Sequence, residues 1–288
     1  MGKSNKGKYG TNRKPLVSVI IPAYNEEKVI EGLIDSIKKQ SHKRIETIVV
    51  DDASVDKTVE IAKKFTKLVF TRRHAERSVQ RNYGASKAGG EYFLFLDADM
   101  ELTSDVVKEC VELATKNAKI GAIVIPEESV ASNYWEKVKA FERSFYNIEG
   151  DKITDAARFF PREAFEKVGG YDESITGPED WDLPDTIRNI GYKIGRINSI
   201  IYHYERINSP FKIARKKFYY ALKSHRYLKK QNISTFGPKT VYFLRPVFYR
   251  EWVRILGHPV LSLGMFLMLS LELVYGGLGF FIGKFTNK

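Results

Sequence analysis

Between residues 16 and 126, five short apolar runs alternate with four segments of helical pattern, and this alternation constrains the fold more than any other feature. The runs are LVSVIIPAY (16–24), ETIVVDD (46–52), KLVFTR (67–72), YFLFLDAD (92–99) and GAIVIP (121–126). They are rich in Val, Ile and Phe and apolar on consecutive residues, the pattern of strands buried on both faces. Helical patterns fall near 26–39, 56–65, 76–88 and 104–116, and the last opens on Thr103-Ser104-Asp105, an N-cap cluster. Strand–helix repetition predicts an α/β fold with a mainly parallel sheet flanked by helices. Such sheets bind ligands at the carboxyl ends of their strands.

Polar residues gather at those ends: Tyr24, Asn25 and Glu26 after the first run, Asp51 and Asp52 after the second, Asp97 and Asp99 after the fourth. No GxGxxG or GxxxxGKS/T loop occurs, which counts against a dinucleotide-binding domain or a P-loop NTPase. DADME (97–101) sets two carboxylates on either side of Ala98. If the strand continues through them they face the same way, and two hard oxygen ligands suit Mg²⁺ or Mn²⁺. A solvated loop with chance acids is the bland alternative. Asp52 can accept hydrogen bonds from a base or a ribose hydroxyl, whereas Ser54 and Asp56 read as helix-start residues. Arg81 has the planar fork that suits phosphate, or is an exposed helix charge.

In GPEDWDLPD (177–185), Gly177-Pro178 opens a helix whose first turn carries Glu179 and Asp180. A carboxylate there can act as general base on an acceptor hydroxyl, or can simply stabilise the helix N-terminus, the role given to Asp182. His203, ending the strand-like SIIYHYE, is either packed or a metal ligand.

VSVIIPAYNEE, VVDDASVDKT, RNYGASKAGGEYFLFLDAD, FFPREAFEKVGGYDES and GPEDWDL together resemble, in order and spacing, glycosyltransferase family 2 with its nucleotide-sugar-binding GT-A fold. The resemblance covers residues 16 to 205, about two thirds of the chain. It implies that Pro22, Ala23, Tyr24, Glu26 and Asp52 contact the nucleoside, with Arg81 at the diphosphate and Asp97 also at the nucleotide. It further implies a divalent Mn²⁺ or Mg²⁺ at Asp97 and Asp99, chiefly Asp99, and Asp180 as catalytic base of an inverting transfer. His203 and Glu101 are further candidate metal ligands. Glu101 stands where dolichyl-phosphate-mannose synthases, a branch of the family, carry a glutamine in DADLQ. The QxxRW motif of processive members such as cellulose synthase does not follow residue 182, so single-sugar transfer is expected. A lipid-phosphate acceptor, as in that branch, is already ionised and scarcely needs a base, so Asp180 leans towards a hydroxyl acceptor.

The chain carries a net charge of +12, which points to a polyanionic partner. Residues 206–254 hold thirteen Lys/Arg against Glu251 alone, so that stretch accounts for the whole excess. Directly after it, residues 255–283 carry Glu272 as their only formal charge. A basic, aromatic segment abutting an apolar block favours an anionic membrane surface over nucleic acid. Glu272 would cost ~2.5–3.5 kcal/mol near the centre of a spanning helix, so spanning and interfacial placements both remain open. Cys110 is the only cysteine, which excludes a disulfide framework and multi-cysteine metal sites.

The expected organisation is a disordered basic tail (1–14), a GT-A catalytic domain (15–205) and a basic, then apolar, membrane-association region (206–288). The expected enzyme sits at the cytoplasmic membrane face. It moves one sugar, mannose among the candidates, from a GDP- or UDP-linked donor to a lipid or lipid-linked acceptor. A polyprenyl-phosphate glycosyl synthase and a catalytically silent GT-A-fold membrane scaffold are the alternatives.

Overall fold

From the amino end the chain runs β1 (Val17–Ala23), α1 (Ile30–Lys38), β2 (Ile45–Asp51), α2 (Thr58–Lys63), β3 (Val69–Thr71), α3 (Arg77–Lys87) and β4 (Tyr92–Phe95). There follow β5 (Met100–Leu102), α4 (Val106–Lys116), β6 (Ile120–Val124), β7 (Glu127–Val130), α5 (Tyr134–Ser144) and β8 (Ala157–Pro161). Then come α6 (Arg162–Lys167), α7 (Glu179–Asn189), β9 (Lys193–Arg196) and β10 (Ile201–Tyr204). The remainder is helical: α8 (Pro210–Lys230), a 3-10 turn at Tyr242–Leu244, α9 (Pro246–Arg250), α10 (Trp252–Gly257) and α11 (Pro259–Thr286). This computed structural model describes residues 13–147, 150–151 and 155–286, so the expected tail lies almost wholly outside the described residues.

The five apolar runs all become strands of one seven-stranded sheet, ordered β3-β2-β1-β4-β8-β6-β9. β3, β2, β1 and β4 are parallel, as are β6 and β9, while β8 enters antiparallel between β4 and β6. The first five residues of β1, 17 to 21, are all buried because both faces are covered. Val19 and Ile21 pack towards α1 and α4, and Ile20 joins Phe93, Phe95, Phe160 and Phe165 on the other face. A Cβ at Gly84 would collide with Ile20, so glycine lets α3 lie close on the sheet. A second sheet, β5-β10-β7, sits at the edge of the first.

β4 stops at Phe95, earlier than the sequence pattern suggests, and residues 98–99 form a turn into β5. Asp97 and Asp99 are therefore not alternate residues of one continuous strand. The N-cap of α4 is Asp105, but its side chain bonds no helix N–H and instead accepts from Ser41 Oγ at 2.6 Å.

α11 begins at Pro259 and packs against α8 and α5. A Cβ at Gly279 or Gly283 would strike the carbonyls of Phe218 or Leu222, so the two helices touch backbone to backbone. Its inward face carries Met265, Met268, Leu269 and Glu272, whereas Val260, Leu263, Leu267, Val274, Phe281 and Phe285 are exposed. Glu272 thus faces protein, 3.5 Å from Lys139 of α5, and its formal charge is not offered to lipid. Lys139 also pairs with buried Glu142 at 2.9 Å. By length and composition α11 is long and apolar enough to cross a membrane. The exposed side of this helix is its most apolar side, the reverse of an ordinary soluble helix.

Candidate active site

A cleft of about 1280 Å³ opens at the carboxyl ends of β1 and β2 and runs along α8 to α11. Pro22, Ala23, Tyr24, Glu26, Asp52, Asp97, Asp99, Asp180 and His203 all line it. Sequence reasoning chose eleven positions, and nine of them converge here.

At the strand ends, the Asp52 N–H donates to the Ala23 carbonyl at 2.8 Å, locking the two chain crossings together. Asn25 and Ala53 adopt φ values of 54° and 61°, left-handed conformations that non-glycine residues hold only when the surroundings enforce them. Asp52 Oδ1 accepts from the Ala75 N–H (2.8 Å) and Gln80 Nε2 (2.5 Å), and its Oδ2 lies 2.6 Å from His74 Nδ1. Tyr24 is half-exposed beside the His74 ring, at 5.5 Å between centroids. Such an aromatic mouth above fixed carboxylates can seat a nucleobase.

Deeper in, α3 and the first turn of α7 bring Arg81 and Asp180 together. Arg81 Nη1 donates to Asp180 Oδ1 at 2.5 Å and Nη2 donates to Asp97 Oδ1 at 2.9 Å. Arg81 is completely buried and does not line the cleft. Its fork is occupied by two carboxylates and it underlies the site, whereas the resemblance implies contact with a diphosphate. Arg158 adds Nη1 at 3.5 Å from Asp97 Oδ2 and Nε at 2.5 Å from Glu127 Oε1. Burial pushes the Asp97 carboxyl upward, but Arg81 and then Arg158 outweigh it and hold the group well below the usual carboxylate range. Next to Asp180, Glu179 is buried against Arg77 at 2.8 Å, and burial raises its pKa. Gly177, at φ +99°, carries the chain into this helix where a Cβ would press on Tyr220 of α8.

On the other side of Ala98, Asp99 Oδ1 faces His203 Nε2 at 3.6 Å. β10 delivers His203 by pairing it with Met100, just after the carboxylate turn. His203 Nδ1 lies 3.2 Å from Glu127 Oε2. Nδ1 faces both this acceptor and the Arg143 donor; the tautomer with its proton on Nδ1 turns the Nε2 lone pair towards Asp99, as a metal ligand needs. Arg143, 3.0 Å from the same Nδ1, is itself paired with Glu205 at 2.9 Å. Among the described residues no group of three or more His, Cys, Asp or Glu forms a ready-made metal cage. One carboxylate and one imidazole fit a divalent ion that takes its remaining ligands from a diphosphate and water. Glu101 does not join them. It sits on β5, packed towards Gly32 of α1 and hydrogen-bonded to Tyr204, away from the cleft lining.

Arg206, Arg143, Arg158 and Glu127 belong to the site but were missed. Arg206 crosses the cleft mouth, giving Glu26 two hydrogen bonds (2.6 and 2.9 Å) and Asp99 one (2.9 Å). Its signal in HYER was three residues after His203, where it was counted only as the start of the basic stretch.

The sequence model described as glycosyl transferase family 2 matches residues 18–169, more than half of the chain. An uncharacterized glycosyltransferase of Rickettsia typhi is 28% identical over 204 residues, covering 66% of this chain and 62% of the relative. The uncharacterized glycosyltransferase EpsJ of Bacillus subtilis is 37% identical over 185 residues, covering 58% and 54%. The matched region thus spans less than two thirds of these relatives' own length. Among solved structures, the mannosyltransferase PcManGT of Pyrobaculum calidifontis, in complex with GDP-Man and Mn²⁺, superposes with a TM-score of 0.58 at 19% identity. That match covers 90% of this chain and 75% of the other. Residues 1–349 of S. aureus TarS, in complex with UDP-GlcNAc, give a TM-score of 0.55 at 17% identity, covering 93% and 89%. The likeness to these two is one of fold: a central, mostly parallel sheet with helices on both faces, the GT-A arrangement. With its strand-end cleft and the family match across β1 to β8, the chain belongs to glycosyltransferase family 2.

Proposed function

We propose that this chain moves a single sugar, with inversion, from a nucleotide-sugar donor to a lipid or lipid-linked acceptor at a membrane surface. The observation that carries this reading is the continuity of the cleft from Asp99 and Asp180 to the exposed apolar helix α11. Tyr24, Asp52 and the ends of β1 and β2 seat the nucleoside. Asp99 and His203 hold a divalent ion, Mn²⁺ or Mg²⁺, which when bound neutralises charge on the departing diphosphate. Asp180 takes the proton from the acceptor hydroxyl. Its Oδ1 is fixed by Arg81, and Oδ2 makes no hydrogen bond to any described residue. Arg81 and Arg158 keep Asp97 ionised. GDP-mannose and UDP-linked sugars are the donor candidates, since the two structural neighbours were solved with GDP-Man and UDP-GlcNAc.

The membrane side of the reading rests on α11 and on exposed Tyr249, Trp252 and Leu256 beside Arg250. Rings and cations next to an apolar face suit the headgroup layer. A screen of GDP- and UDP-sugars with Mn²⁺, measuring donor hydrolysis and transfer to membrane lipid extract, tests the reading. Asp180→Asn keeps donor affinity while turnover falls ~10²–10⁴-fold. Near-normal turnover in that variant removes Asp180 as the base.

A further inference from the structure

The cleft is larger than one ligand needs, since pockets for a single small molecule run to about 300–1,000 Å³. Its two ends differ in chemistry. The inner end holds the carboxylates and Asp180, and the outer end is walled by Leu269, Leu273, Phe280 and Phe281 with Gly276-Gly277. Between them α8 contributes Lys212 and Lys216, four residues apart on the cleft face of the helix. Neither ammonium makes a hydrogen bond or ion pair with any described residue. Lys216 lies 5.6 Å from the ring of Tyr220, whose hydroxyl accepts from Arg77 Nη2 at 3.2 Å. Arg77 in turn pairs with Glu179, the neighbour of Asp180. The other basic side chains of this part of the cleft are engaged: Lys217 with Tyr242, Lys239 with Asp185, Arg245 with Glu142.

We infer that Lys212 and Lys216 form a binding site for the phosphate or diphosphate of a lipid-linked acceptor, whose hydrocarbon chain leaves along the Gly276-Gly277 groove of α11. Like charges at this helical spacing repel, and an anion between them removes the repulsion. A Cβ at Gly277 meets nothing within 4 Å, so the groove is open there. Charge at the inner step and apolar walls at the outer one fit a molecule with the same order of parts: sugar, phosphate, chain. The site deepens the transferase reading and rests on it for the sugar's orientation.

Calorimetry on the full chain in neutral detergent with three probes tests the site: farnesyl diphosphate, farnesol and inorganic pyrophosphate. Farnesyl diphosphate is expected to bind at least about tenfold more tightly than either of the others, because only it has both parts. Lys212→Glu with Lys216→Glu removes that advantage and leaves Mn²⁺-dependent nucleotide affinity unchanged. Gly277→Leu weakens farnesyl diphosphate and farnesol but not pyrophosphate. The proposal is overturned if pyrophosphate binds as tightly as farnesyl diphosphate, or if the lysine variant weakens nucleotide to the same degree. The first result shows that the apolar groove adds nothing, and the second assigns the lysines to the donor's diphosphate. Lysine-dependent binding of farnesyl diphosphate by a chain that binds no nucleotide sugar supports this site while sinking the transferase reading, so the two failures are distinct.

Discussion

Arg81 Nη1 lies 2.5 Å from Asp180 Oδ1, so the carboxylate proposed as base rests on a buried cation that also holds Asp97. The guanidinium fork sets the spacing between the end of β4 and the start of α7. Arg81→Lys supplies one point charge where two directed donors are needed. Turnover is expected to fall about 10²-fold through misplacement of Asp180, with nucleotide affinity less affected. Single-turnover kinetics beside nucleotide titration checks this, and equal losses in both would assign Arg81 to donor binding.

Metal dependence separates the candidate ligands. Asp99→Ala should abolish the Mn²⁺-dependent part of nucleotide binding, and Glu101→Gln should leave it intact. Glu127→Gln, which alters the group behind His203 Nδ1, should weaken Mn²⁺ affinity by about 10–100-fold. Electron paramagnetic resonance titration of Mn²⁺ with nucleoside diphosphate reads all three. A Glu101 variant as impaired as Asp99→Ala would return that residue to the site.

The lipid-facing reading of α11 predicts a split between stability and membrane binding. Leu263 and Phe281 are 73% and 62% exposed, so Leu263→Glu and Phe281→Glu should fold with an unchanged melting temperature. Both should lose co-sedimentation with anionic vesicles. High salt should release only part of the wild-type protein, since it screens the basic residues and not the apolar face. Full sedimentation of the double variant would leave that face without a lipid role.

Glu142 ties the helical region to the rest of the molecule through charge. Burial raises its pKa, but Lys139 and then Arg245 prevail and the folded value lies below the ordinary one. Its stabilising contribution is therefore complete above about pH 4.3 and fades as pH falls through the lower folded value. Glu142→Gln should cost about 3 kcal/mol at neutral pH, because it leaves two buried cations short of a partner. Denaturant midpoints between pH 3 and pH 7 should show the gap closing only at the acid end.

The parallel half of the fold was legible because burial on both faces writes itself as consecutive Val, Ile and Phe, as in Val19-Ile20-Ile21. β8 left no such mark of direction: ARFFP pairs antiparallel because of the path the chain takes to reach it. α5 carried a readable signal, since Asn133 and Glu136 form a reciprocal capping box, and it went unused. In the site, residues next to strand ends were found and residues acting across the fold were not. Glu127, Arg143 and Arg158 meet His203 and Asp97 only once β6, β7, β8 and β10 are assembled, and no local spacing records that meeting. Arg81 was chosen for the right neighbourhood, but its complete burial between Asp97 and Asp180 was not legible, because sequence offers no measure of burial.

Gly279 and Gly283 lack the side chains that would hold α8 and α11 apart. The wall of the cleft and the face proposed to rest on lipid therefore belong to one close-packed helix pair. An acceptor reaching the cleft from a bilayer would then pass along that helix pair before it meets Asp180.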